Sequence, residues 1–217
     1  MKTLLNKEIR LASSLITWLF LAFALMSFIP GYPILVGAFF LCLGIFHSFQ
    51  NWRENNDILY TALLPVRKTD VVKAKFAFVI MIQMLFFAIC LILTILRLTV
   101  FKTSDVYVKN VMMNANQVYL AFVLLVFALF NAVFICGFFK TAYKFAGPFV
   151  KSGILIFVLI AAAEALHHIP GLEFLNKTDT AADVRLWIIF AVCAAVYALV
   201  TWLSVRASRA SFEKIDL

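Results

Sequence analysis

From Leu11 to Trp52 the chain carries no Asp, Glu, Lys or Arg. Water cannot solvate such a run, and one bilayer crossing takes only about 20 residues. The run therefore suits two crossings. Its middle reads Pro30-Gly31-Tyr32-Pro33, a strong turn signal. The expectation is a hairpin, with helix 1 from about Leu11 to Ile29 and helix 2 from about Ile34 to Gln50. The turn is so short that it must lie at the outer surface. Composition agrees: 65% of the 217 residues are hydrophobic and 14% charged. Soluble domains run at roughly half and a quarter, so this chain has too few polar side chains to cover its apolar surface.

The pattern continues to the end of the chain. Apolar runs predict helix 3 over Phe76–Leu96, helix 4 over Asn116–Phe139, helix 5 over Phe149–His168 and helix 6 over Val184–Val205. Gly147-Pro148 should break the chain before helix 5, and Pro170-Gly171 should end it. The expected fold class is all-α: a polytopic membrane protein with six transmembrane helices. Six spans use roughly 120 residues. The rest is too little for a separate catalytic domain, so residues 1–217 form one membrane domain.

Positive charge sets the orientation. The N-terminus, the loops after helices 2 and 4, and the tail hold 14 of the 19 Lys and Arg residues, and the other side holds 5. Basic residues collect on the cytoplasmic side, so the N- and C-termini are both expected there. Trp52, Trp202 and Tyr143 then lie at the inner interface, and Tyr32, Tyr107 and Trp187 at the outer one. Lys2, Lys7 and Arg10 precede an apolar stretch longer than a signal peptide's, with no clean cleavage site, so helix 1 should be retained. Within residues 1–10, Leu4, Leu5 and Ile9 can share a face with Leu11, opposite Lys7, Glu8 and Arg10. That fits a short helix lying on the inner membrane surface, or simply a positive flank.

The net charge of +8 suits anionic headgroups and brings no soluble basic face, so no nucleic acid is expected as a partner. Cys42, Cys90, Cys136 and Cys193 each fall inside an apolar run, without metal or disulfide spacing. The chain has no Gly-x-x-x-x-Gly-Lys-Ser/Thr loop, no Gly-x-Ser-x-Gly elbow and no His-Glu-x-x-His. Active transport would need its nucleotide hydrolysed by another subunit.

The most specific stretch is the loop 51–75. Asp57 can cap a short helix whose apolar face is Ile58, Leu59, Ala62 and Leu63, and which Pro65 stops. Thr69 or Asp70 can cap helix 3. The run Leu64-Pro65-Val66-Arg67-Lys68-Thr69-Asp70-Val71-Val72-Lys73-Ala74-Lys75-Phe76 resembles the signature after the second span of small bacterial ABC-2 type permeases, the membrane subunits of ATP-binding-cassette exporters. Asn56-Asp57 and the apolar helix resemble that family's coupling-helix region.

The resemblance implies a non-catalytic subunit in the bacterial cytoplasmic membrane. Two ATPase copies would hold ATP and Mg, this chain would hold no cofactor, and a second permease would form a homo- or heterodimer with it. The cargo would be an amphipathic peptide, a lipid-like compound or a drug. The residues implied in ATPase coupling are Asp57, Ile58, Leu59, Tyr60, Leu63, Leu64, Pro65, Arg67, Lys68 and Asp70. Leu59, Tyr60 and Leu63 would fill a groove on the ATPase, with Arg67, Lys68 and Asp70 at its rim.

Polar residues inside the spans mark a possible substrate path. Glu164, His167 and His168 share one helical face by their spacing. They fit an outer vestibule lining, an interfacial Glu paired with Arg97 or Arg185, or half of a metal site. No second Glu-x-x-His faces them, so no metal ligands are assigned. Gln83 and Asn131 are isolated in apolar spans and suit interhelical hydrogen bonds or the same path. His47 is expected at the inner interface. The 24 phenylalanines would suit an apolar cargo or lipid. The alternative is a stand-alone membrane protein, an immunity factor or a membrane-embedded metal enzyme.

Overall fold

The computed structural model describes residues 2–63, 65–177 and 183–215. Among them there is no strand; the chain is all-helical. Helix α1 covers Lys2–Lys7 and continues as a π turn over Glu8–Ala12. Helix α2 begins as Leu15–Leu19 and tightens to 3-10 geometry over Phe20–Phe28. Then come α3 Val36–Glu54, α4 Asp57–Ala62, α5 Lys68–Thr99 and the short α6 Asp105–Val108. Helix α7 runs over Gln117–Phe139 with a π turn at Asn131–Ile135. Helices α8 Ala146–Leu166 and α9 Val184–Glu213 complete the chain.

Four helices, α5, α7, α8 and α9, are long and apolar enough to cross a bilayer, and α1 with α2 makes a fifth if that bent pair is one span. Helix α3 does not join them, because its end, from His47 to Glu54, is mostly polar. The expected first helix is broken rather than continuous. It bends by 85° between the segments Leu4–Arg10 and Leu15–Phe28, where Ser14 accepts from the Ile16 amide and caps the new start. The 3-10 stretch compensates for the shortness of α2. Its nine residues advance about 18 Å at the steeper 3-10 rise.

That same tight winding sets Phe20 and Phe23, their rings tilted with centroids 5.0 Å apart, over two glycines of α3. A Cβ on Gly37 would stand 2.6 Å from the Phe23 carbonyl oxygen, and one on Gly44 2.7 Å from the Phe20 Cβ. Only glycine admits so close a crossing. Thr17 seals it by bonding the Gly44 carbonyl at 3.0 Å and Ser48 at 2.7 Å.

Several boundaries differ from the sequence expectation. Helix α5 starts at Lys68, eight residues before Phe76, with Arg67 rather than Thr69 or Asp70 at the N-cap. Its 32 residues are about 48 Å long, more than the roughly 30 Å hydrocarbon core. Helix α9 likewise continues past Val205 to Glu213. Gly147-Pro148 does not break α8 but lies in its first turn, where a missing N–H costs nothing. The helix stops at Leu166, ahead of Pro170-Gly171.

Helix α7 is the hub. It packs against α3, α5, α8 and α9. Of its apolar stretch 72% is buried, against 11% for α9. Many of the phenylalanines lie in this core: Phe46 stacks on Phe149 at 4.1 Å, Phe49 lies tilted against Trp52 at 4.2 Å, and Phe134 meets Phe46, Phe49 and Phe130. They fill the seam between α3, α7 and α8.

Candidate functional site

The loop between α3 and α5 folds as expected into a short helix, α4, but its start differs. Asp57 is the first helical residue and not the cap. Asn56 takes the cap position in the left-handed region at φ 49°, a conformation that asparagine tolerates. This frees the Asp57 carboxylate to turn inward. It meets Lys75 Nζ at 2.7 Å and Lys7 Nζ at 2.5 Å.

Lys75 is fully buried. Its ammonium also meets Glu8 at 3.3 Å and lies 3.6 Å from the centre of the Trp52 ring. Lys7 donates to Thr61 at 2.6 Å, and Thr61 donates back to the Asp57 carbonyl. Two cations and two carboxylates thus join α1, α4 and the base of α5 into one closed cluster. Burial pushes the Asp57 carboxyl up, but the Lys75 ammonium and the Lys7 hydrogen bond outweigh it and hold the group below its ordinary value.

Glu8 is 1% exposed. It does not lean outward with Lys7 and Arg10 as expected. The signal was present: Glu8 follows Leu4 by four residues and Leu5 by three, which places it on the apolar face. Lys75 was legible only as one of several basic residues in the loop. Lys7, Glu8, Thr61 and Lys75 were absent from the expected site.

The opposite face of α4 is bare. Leu59 is 53% exposed, Tyr60 68% and Leu63 83%. Ile58 turns inward and is buried. Pro65 and Arg67 are exposed and Lys68 half-buried, its ammonium donating to the Ile215 carbonyl at 2.5 Å. Asp70 pairs with Lys73 at 3.2 Å. Leu64 lies outside the described residues. Beside α4, a groove of about 300 Å³ is lined by Trp52, Arg53, Ile58, Leu59, Tyr143 and Ile215, among others. Arg53 bounds it, stacked 4.4 Å over the Tyr143 ring.

The in-span residues separate into two groups. Gln83 and Asn131 are fully buried and bond each other twice, at 2.9 and 3.2 Å. Thr201 accepts from Asn131 at 3.0 Å, and Tyr197 donates to Gln83 at 3.0 Å. This knot joins α5, α7 and α9 where the π turn of α7 begins.

Glu164 and His167 instead hold the segment before α7. Glu164 accepts from the Met113 amide at 2.9 Å, and His167 Nε2 donates to the Val111 carbonyl at 3.0 Å. Glu164 pairs with neither Arg97 nor Arg185. Arg97 donates to the Ser27 carbonyl at 2.6 Å and Asn114 at 2.9 Å, under the Tyr107 ring, while Arg185 pairs with Asp183 at 2.8 Å. Asn114 and Asn116 bond residues 175–177. These bonds stitch the segments at this end of the bundle together. Among the described residues no three His, Cys, Asp or Glu side chains group as metal ligands.

No curated protein and no solved structure matches the chain significantly. The family model of ABC-2 family transporter proteins matches residues 3–213; with its several bilayer-length apolar helices, the chain is a multi-pass membrane protein that belongs to the ABC-2 transporter family.

Proposed function

We propose that the protein is the permease subunit of an ATP-binding-cassette exporter in a bacterial cytoplasmic membrane. It crosses six times, α2 and α3 forming the first hairpin, with both ends in the cytoplasm. Two ATPase subunits, which bind the ATP and Mg, dock on α4, and a second permease, identical or related, completes the path. The observation that carries this reading is the two-sidedness of α4. Its outer face offers Leu59, Tyr60 and Leu63 to a partner, while its inner face is bolted by Asp57 and Thr61 to α1 and α5.

A push on so short a helix cannot be absorbed locally, because the charge cluster passes it to the base of α5 and to α1. Movement of α5 then strains the Gln83–Asn131 knot with α7 and the stitched outer end, whose release would open a way out. The driving force is the ATPases' different affinity for the two permease arrangements. An amphipathic peptide, lipid-like compound or drug is the cargo class, in keeping with the apolar surface of α8 and α9.

The test is co-purification from native membranes. An ATPase with a phosphate-binding loop should accompany the wild-type protein. Leu63→Asp should reduce that association at least ten-fold while membrane insertion is unchanged. Absence of any ATPase from the native complex would overturn the proposal.

A further inference from the structure

A second groove, of about 480 Å³, opens between the end of α7 and the start of α8. Its wall is apolar where it runs into the bundle: Ala132, Val133 and Cys136 line it. Its mouth is cationic: Lys140, Lys144 and Lys151 line it there, all exposed. Among the described residues no ion pair or hydrogen bond engages the ammonium group of any of the three; Lys144 bonds only through its backbone amide, to the Thr141 hydroxyl at 3.0 Å. From Lys140 to Ala132 the wall extends about 12 Å along α7. No carboxylate lines the groove.

We propose that this groove is a binding site for an anionic phospholipid of the inner leaflet, with its phosphate between Lys140, Lys144 and Lys151 and an acyl chain along Ala132 and Val133. Charge complementarity sets the headgroup, since three ammonium groups without an ion-pair partner among the described residues line one groove that holds no carboxylate. The apolar wall sets the rest: a free phosphate would leave it unused, and a neutral lipid would leave the lysines unused. Basic pockets between spans on the cytoplasmic side are suited to such headgroups. The first turn of α8 opens on the same mouth through Gly147, adding its positive end. The assignment rests on the orientation proposed above, but its readout needs no ATPase.

The intact complex, purified in detergent, is titrated with phosphatidylglycerol and with phosphatidylcholine of the same chains, and retained lipid is counted by native mass spectrometry. Phosphatidylglycerol should be retained preferentially. Each lysine near a headgroup contributes about five-fold, so the triple variant Lys140→Gln/Lys144→Gln/Lys151→Gln should lose roughly a hundred-fold in retention, with phosphatidylcholine unaffected. Ala132→Trp, which blocks the wall and leaves the charges, should also lower phosphatidylglycerol retention.

Equal retention of the two lipids, or wild-type retention by the triple variant, would overturn the assignment. Displacement of the lipid by equimolar inorganic phosphate, or full retention by Ala132→Trp, would show a soluble anion in its place. A triple variant that keeps the lipid and loses the ATPase would make the lysines a protein contact. None of these lipid results alters the Leu63→Asp test, so the two proposals fail separately.

Discussion

Lys75→Met removes one charge from a set of four, two buried and two half-buried. Lys7 and Lys75 face Glu8 and Asp57, two against two. Without Lys75, two carboxylates share one ammonium, and among the described residues Glu8 keeps only Lys7 at 3.6 Å. Lys75 and Glu8 are shielded from water, at 0% and 1% exposure. Breaking a buried pair on one side costs about 3–5 kcal/mol. The loss should appear as undocking of α1 from α4. Amide hydrogen exchange over residues 4–10 should accelerate roughly a hundred- to a few thousand-fold.

The double variant Glu8→Leu/Lys75→Met leaves Lys7 and Asp57 balanced and should recover most of this protection. The two single changes must then be strongly non-additive. Parental exchange rates in Lys75→Met, or simple additivity in the double variant, would refute the idea that the four charges act as one latch.

The latch also predicts an acid limit. The Asp57 carboxyl is held below its usual 3.8. A depressed folded value means that its contribution is complete above about pH 4 and is lost as pH falls through the lowered value. Protection of residues 4–10 should therefore be flat near neutrality and fall only below pH 4; a decline near pH 6 would contradict this. Asn131→Leu should cost about 1–2 kcal/mol by leaving Gln83 short of its partner, measured as a lower unfolding midpoint in detergent. Glu164→Gln keeps an acceptor for the Met113 amide and should be nearly neutral. Glu164→Ala should cost about 1–3 kcal/mol and raise exchange of the Met113 amide; equal behaviour of the two variants would argue against a positioning role.

The sequence alone determined the solvent and the number of apolar runs. The charge-free stretch from Leu11 to Trp52, the turn at Pro30-Gly31-Tyr32-Pro33 and the dense apolar composition leave lipid as the only medium, and none of these depends on which runs touch. The family was legible as well: the resemblance was read from contiguous residues of loop 51–75, and the family model matches residues 3–213. The short helix α4 was read to within a residue at its start, since Asn56 and Asp57 are both good starters and only the backbone at Asn56 chooses between them.

Tertiary structure decided what depends on pairs distant in the chain. Glu8 reaches Lys75 across 67 positions and Asn131 reaches Thr201 across 70; no local pattern encodes either contact. The same is true of Glu164, whose partner is a backbone amide with no sequence signature. Burial also misled. Lys75 looked like a loop cation, yet two carboxylates and an indole face make the packed base of α5 acceptable to its charge. A hydropathy pattern records how costly a residue is in lipid, and only the fold shows which partners offset that cost.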